Sequence, residues 1–382
     1  MSAGRPIERL DWTARRVALE WAGGARAEFA SLWLRDNRRE DRDPHSDQRL
    51  IDVVDLPERP RIRSARLADG SLVIEWQDGA AESRYEGEWL LRHSDAAEAS
   101  EDFARTPWLE GAGLDATRDF AWLEFAALSA GGATRAGWLA RLWQDGIAFL
   151  RGVPATDEGI FRAMAFVGRI AATNYGEVFD VRSVPRPENL AYSDLGLGLH
   201  TDNPYRDPVP GFQALHALVT APDGGESLFA DGLALAEHLR EVAPGDFARL
   251  ARTPVPFHYR AAGVELRARR PIIRLACDGA VAAVHYNNRS IAPLPLAADA
   301  AERFYRAYRR FGRMLRDTRY CVKLRLRDGD LVVFDNHRVL HGRTAFSSAQ
   351  HPRHLRGCYL TRDSVQSEAA CARRATTGAG RA

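Results

Sequence analysis

"KLRLRDGDLVVFDNHRVLHGRTAF", residues 323–346, contains an Asp-Gly turn at 328–329, an apolar run, and then His341-Gly342-Arg343 where that run ends. Glycine supplies the positive φ of a tight turn, so the segment reads as short strands joined by turns. The same texture recurs upstream. "FQALHALV" (212–219) and "SLFADG" (227–232) read as strands around a turn at Asp223-Gly224-Gly225. "RPIIRLACDGAVAAVHYN" (270–287) reads as a hairpin about Asp278-Gly279. Helical spacing marks 157–170, 233–243 and 298–317, and 133–154 reads as a helix running into a strand. Many short strands with a few inserted helices predict a mainly β fold, a jelly roll (double-stranded β-helix) carrying helices on its outside, over 105–365.

Ahead of that domain, "VALEWAGGARAEFASLWLRDN" (17–37) is echoed by "LVIEWQDGAAESRYEGEWLLRHS" (72–94). Each copy has a strand ending Glu-Trp, a glycine turn, a second alternating strand and a Trp-Leu-Arg type close. Residues 1–104 therefore read as a small β-rich N-terminal domain, with a polar loop at 37–49 between the copies. The tail 366–382 is small and polar and reads as disordered.

The chain has 382 residues, more than one typical core, so two domains are expected. A net charge of +2 argues against nucleic acid or an anionic membrane as the main partner. "MSAGRPIERLDWTAR" lacks the apolar run of a signal peptide, and no stretch approaches eighteen apolar residues. Cys277, Cys321, Cys358 and Cys371 are widely spaced, which suits free thiols in a reducing cytoplasm. The expectation is a cytoplasmic protein acting on a small molecule.

"LGLHTDNPYRDP" (197–208) places His200 and Asp202 two apart. In a strand, residues i and i+2 face the same way, so the pair could share a ligand; taken alone it reads first as a surface pair with no ligand. His341, at the end of an apolar strand, adds a third group. Two histidines and one carboxylate leave three positions on a metal open, which is the ligand set of non-haem Fe(II) oxygenases. His200, Asp202 and His341 are the candidate catalytic and metal-binding residues.

From about 105 to 362 the chain resembles the Fe(II)/2-oxoglutarate dioxygenases of the taurine dioxygenase superfamily. The carrying motifs are "LHTD", "DGGESLFADG", "FDNHRVLHGR" and "RHLRGCYL". With "LWLRDN" and "EWLLRHS" included, the whole chain is similar to the γ-butyrobetaine hydroxylase group, trimethyllysine hydroxylase among them. The resemblance implies Fe(II) on His200, Asp202 and His341, with O2 and 2-oxoglutarate as cosubstrates. It implies that Arg353 grips the distal carboxylate of 2-oxoglutarate, with Leu215 also in contact. It further implies a homodimer and a role in carnitine biosynthesis.

In that group an aromatic cage holds a trimethylammonium group, whose charge suits ring faces in a desolvated pocket. The matching positions here are Tyr175, Phe179, Tyr192 and Tyr359, with Phe179 where the family usually has Trp. Asn189 and the "HYNNRS" segment (285–290), with Asn287 and Asn288, match the residues that bind the substrate carboxylate. Arg289 follows at once. It either points to solvent or makes the site rich enough in donors for a phosphonate. Relatives with this N-terminal module commonly bind zinc through three cysteines and a histidine. Arg38, Glu40 and Asp43 stand at the cysteine positions and Ala81 nearest the histidine, so zinc is not expected. His216, His238, His258 and His285 read as packing or surface residues, and His337 as structural or supporting the metal ligands.

The sequence thus predicts a dioxygenase hydroxylating a small quaternary-ammonium acid, with γ-butyrobetaine first and a trimethylammonio- or amino-alkylphosphonate second. A non-catalytic betaine-binding scaffold is the rival from another class.

Overall fold

Every second side chain of "RVALEW" is apolar, and Val17, Leu19 and Trp21 are all buried. That alternation builds the N-terminal part of the chain. The computed structural model describes residues 5–95, 104–110, 113–182, 195–347 and 353–377. The chain divides into two units, Met1–Asp102 and Phe103–Ala382.

In the first unit β1 (Ile7–Thr13), β2 (Arg16–Trp21) and β3 (Arg26–Ala30) form one antiparallel sheet, followed by a short helix α1 (Ser31–Asp36). β4 (Ile62–Ala68), β5 (Ser71–Trp76) and β6 (Ser83–Glu86) form a second, followed by α2 (Gly87–Arg92). The echoed sequences therefore become the same strand–turn–strand–helix unit twice. Their inward faces share one core that includes Trp21, Phe29, Leu34, Ile62, Ile74, Trp76 and Leu90. The indole of Trp21 donates to the Gly87 carbonyl at 3.0 Å, so even the buried N–H is satisfied.

Just past α1, Arg38 is buried. Its guanidinium donates to Ser83 Oγ at 2.7 Å, to the Ala81 carbonyl at 3.1 Å and to Asp41 at 3.1 Å. A guanidinium, a hydroxyl, a carbonyl and one carboxylate do not suit a zinc ion, which takes thiolates and imidazoles. Asp43 instead accepts bonds from the Ser46 and His45 amides, and His45 is exposed.

In the second unit a six-stranded sheet runs in the order β7 (Ala121–Glu124), β8 (Ile147–Arg151), β18 (Leu331–Asp335), β11 (Phe212–Val219), β20 (His354–Leu360), β9 (Val178–Arg182). A four-stranded sheet runs β10 (Leu197–His200), β19 (Val339–Arg343), β12 (Ser227–Asp231), β17 (Val322–Leu324). Phe149, Leu215, Phe229, Val332, Phe334 and Val339 pack between the two sheets. Residues 212–218 of β11 are all buried because helices cover the sheet's other face. Those helices are α3 (Phe125–Ala130), α4 (Gly132–Asp145), α5 (Gly159–Met164) and α9 (Arg362–Thr377).

Between β12 and β17 the chain inserts α6 (Gly232–Val242), α7 (Pro244–Arg252), the hairpin β13 (Val255–Ala261) with β14 (Val264–Arg270), the hairpin β15 (Ile273–Leu275) with β16 (Val281–Val284), and α8 (Ala298–Met314). These form their own cluster around Leu239, Phe257, Phe304 and Phe311. A buried ion pair ties the insertion to the turn ahead of β19. Arg338 Nη2 meets Asp231 at 2.7 Å, and Asp231 also caps α6 through the Leu233 and Ala234 amides.

Two expectations are corrected. The helical spacing over 157–170 yields only α5, because the chain leaves the helix after Met164 and lays Ile170 beside Leu360 of β20. The tail does not begin as disorder: α9 extends to Thr377, and residues 378–382 lie outside the described residues. Val365, Ala369 and Ala372 recur at helical spacing and dock on the α4 side of the sheet, while Glu368 pairs with Arg135 of α4. Small residues there permit close approach rather than disorder. Val365 is 1% exposed, so Val365→Ala is expected to cost about 1–3 kcal/mol. An unchanged urea midpoint would show that the helix contributes nothing to folding.

Candidate metal and substrate site

His200 ends β10 and His341 lies on β19, and the two are direct cross-strand partners with ring centroids 4.3 Å apart. Such close approach of the strands requires Gly342: a Cβ there would lie 2.4 Å from the Leu197 carbonyl oxygen. His200 Nδ1 lies 2.9 Å from the Gly198 carbonyl. A carbonyl only accepts, so that nitrogen carries the proton and Nε2 presents its lone pair to the site.

β10 stops at His200, so strand alternation alone does not aim Asp202. Asn336, from the turn between β18 and β19, does so. Its Oδ1 accepts from the Asp202 amide at 2.7 Å, and its Nδ2 donates to the Asp202 carbonyl at 3.1 Å. The carboxylate then lies 3.3 Å from His200 Nε2 and 3.9 Å from His341 Nε2. Tyr359 donates its hydroxyl to Asp202 Oδ2 at 2.8 Å. The three ligand atoms lie within 4.8 Å of one another. Among the described residues no other cluster of three such side chains occurs.

Burial alone would raise the Asp202 carboxyl, but His341, His200 and the Tyr359 hydroxyl outweigh it and hold it well below the ordinary carboxylate range. His341 is pushed down to about 3, first by burial and then by His200, with Arg289 adding to the effect. At neutral pH the site therefore offers an ionised carboxylate and a neutral His341 imidazole, the protonation state that a divalent metal needs.

A cavity of about 410 Å³ opens over the triad. Five rings line it in a connected series. Tyr359 meets Phe179 at 5.1 Å, Phe179 meets Tyr175 at 6.2 Å, Tyr175 meets Tyr259 at 6.1 Å, and Tyr259 stacks on Tyr205 at 5.0 Å. Gly357 makes room for Phe179, since a Cβ would lie 2.5 Å from its ring. Leu215, Asn287 and Arg289 also line the cavity. Asn189 and Tyr192 lie outside the described residues.

Asn288 differs from expectation. It is exposed and lines a neighbouring cavity, because residues 288–290 form a 3-10 turn that sends adjacent side chains in different directions. His258, expected as packing or surface, lines the triad cavity and contacts Glu265 at 3.0 Å. Sequence reasoning also missed Tyr205, Tyr259 and Arg260. The signal for the last two was present: "VPFHYRAAGVELRARR" (255–270) alternates about a glycine at φ +73°, the pattern of a hairpin.

Arg353 lines a recess of its own with Gly225, Ser227, Arg325 and Leu355, rather than the wall over the triad. It is 7% exposed and has no carboxylate partner among the described residues. Burial first, and then Arg343, push its guanidinium down to about 10. A buried cation without an anion is electrostatically unfavourable, which fits an anionic ligand that the described residues do not supply.

The carboxylate, the two imidazoles and the open space in front of them define a non-haem metal-dependent oxygenase. Residues 112–359 match the model of the taurine catabolism dioxygenase TauD, TfdA family, and the chain belongs to that family. It is 36% identical over 375 residues to the γ-butyrobetaine dioxygenase of Pseudomonas sp. (strain AK-1), covering 95% of both chains. It is 33% identical to dioxygenase str8 of Strobilurus tenacellus, covering 87% of this chain and 82% of that one. It is 28% identical to the trimethyllysine dioxygenase of Meyerozyma guilliermondii, covering 94% and 93%. The protein is an enzyme, a 2-oxoglutarate-dependent dioxygenase. Among the described residues no helix is long and apolar enough to cross a membrane.

Proposed function

We propose that this enzyme hydroxylates a small quaternary-ammonium acid, with γ-butyrobetaine or a close analogue as substrate, at Fe(II) held by His200, Asp202 and His341. The observation that carries this reading is the wall of five aromatic rings directly over the carboxylate–imidazole triad. Ring faces stabilise a cation that cannot donate hydrogen bonds, and they exclude water that would otherwise compete for it. The 36% identity to a γ-butyrobetaine dioxygenase supports the same substrate class. We read the two-sheet unit as the jelly roll of that group.

Iron with 2-oxoglutarate and O2 supplies an oxidant strong enough to break an unactivated C–H bond. The chain's own residues do the rest. Arg353 would bind the distal carboxylate of 2-oxoglutarate, with Leu215 also in contact with the cosubstrate. Tyr175, Phe179, Tyr205, Tyr259 and Tyr359 hold the ammonium group, joined by Tyr192. Asn287, with Asn189, receives the acidic end of the substrate, so that one carbon between the two ends faces the triad. Tyr359 additionally orients Asp202 through the 2.8 Å hydrogen bond.

A second reading, a trimethylammonio- or amino-alkylphosphonate, is favoured by Arg289. It lines the same cavity and has no acidic partner among the described residues. Succinate release from wild type and Arg289→Ala with γ-butyrobetaine and with the phosphonate analogue separates the two. Under the carboxylate reading, γ-butyrobetaine turnover barely changes in the variant. Under the phosphonate reading, the variant loses about 2 kcal/mol or more on the phosphonate alone. Either way, trimethylated substrates should exceed their primary amines about tenfold or more in kcat/KM, roughly 1.4 kcal/mol. Equal, low activity on every quaternary-ammonium compound would overturn both readings.

A further inference from the structure

A second cavity, of about 610 Å³, lies on the other side of β10, between that strand and α8. Its charge is one-sided. Arg309 and Arg313 of α8, Arg316 just past the helix end, and Arg289 all line it, and no Asp or Glu does so among the described residues. Arg309 and Arg313 are one turn apart, so they share one face of α8 although like charges so placed oppose helix formation. None of the four has an ion-pair partner among the described residues. Arg306 and Arg310 of the same helix, by contrast, both reach Asp246.

A second, independent observation points to a ligand. Tyr308 is 7% exposed and lines this cavity, and its buried hydroxyl makes no close hydrogen bond among the described residues, the Tyr286 hydroxyl standing only loosely beside it. A buried polar group left unbonded is unfavourable unless something else meets it. Its ring stacks on Tyr286 at 5.0 Å, which holds the hydroxyl in place.

We propose that this cavity binds a small dianion bearing phosphate or carboxylate groups. Guanidinium forks would engage the charged oxygens, and the Tyr308 hydroxyl would donate a further bond. Planar guanidiniums match both oxyanion types in bidentate geometry, which makes the two the same chemistry to this site. The site is distinct from the one around Arg353. It shares only Leu197, His200 and Arg289 with the triad cavity.

The test is calorimetric titration of the full chain, at low ionic strength, with inorganic phosphate and separately with malonate. Saturable binding of about one equivalent of at least one probe is expected. The double variant Arg309→Gln/Arg313→Gln should weaken that binding tenfold or more, while Arg353→Ala leaves it in place. The probe that binds more tightly identifies the source of the anion. Far-UV circular dichroism checks that the double variant folds, and its exposed substitutions leave turnover within about twofold. Absence of binding by both probes, binding unchanged in the double variant, or binding lost with Arg353→Ala would each overturn the proposal. The readout needs neither iron nor substrate, so it succeeds or fails separately from the function proposed above.

Discussion

His341→Ala is expected to reduce succinate formation about a thousandfold or more, equivalent to roughly 4 kcal/mol on the barrier. The imidazole supplies one of only three protein ligands, and its direct cross-strand partner His200 cannot take over a second position on the same ion. The fold should survive the change. His341 Nδ1 makes no close hydrogen bond among the described residues, so the truncation orphans no partner at that nitrogen. The variant should therefore unfold within a few degrees of wild type while binding iron far more weakly. Turnover and iron content measured on the same preparation decide the matter. Near-normal turnover in His341→Ala would rule out the triad as the metal site.

For Arg353→Ala the Michaelis constant for 2-oxoglutarate should rise by about 2–5 kcal/mol, some thirtyfold to several thousandfold. The constant for the substrate being hydroxylated should move little. The physical reason lies in the folded protein alone: Arg353 is a buried cation that burial and Arg343 push down to about 10, with no carboxylate to receive it among the described residues. A second readout follows. Removing an uncompensated charge should leave the ligand-free protein as stable as before or slightly more so, whereas loss of a structural ion pair would destabilise it. Arg356 is not an alternative ligand, since Asp180 and Asp157 already hold it. An unchanged cosubstrate constant would transfer the role to Arg343.

Much of this protein is local and therefore legible in the sequence. Short apolar runs bounded by glycine turns mark β11, β12 and the β15–β16 hairpin, because a strand needs only a few consecutive apolar residues between two turns. The echoed Glu-Trp strands mark both halves of the N-terminal unit for the same reason. Residue chemistry singled out His200, Asp202 and His341. What the sequence could not supply is which groups face each other, since that depends on register and on contacts between distant segments. His200 opposes His341 only through the pairing of β10 with β19, and Asp202 turns inward only because Asn336 holds its backbone. Asn287 and Asn288 are indistinguishable neighbours in the chain, and a single 3-10 turn sends them to different cavities. Tyr205 and Tyr259 lie 54 residues apart and become one stacked pair in the cavity wall, a juxtaposition that exists only once the β13–β14 hairpin has folded over the triad. Likewise the small residues of α9 carry a weak local pattern, and it is the surface of α4 and the sheet beneath it that makes the helix worth forming.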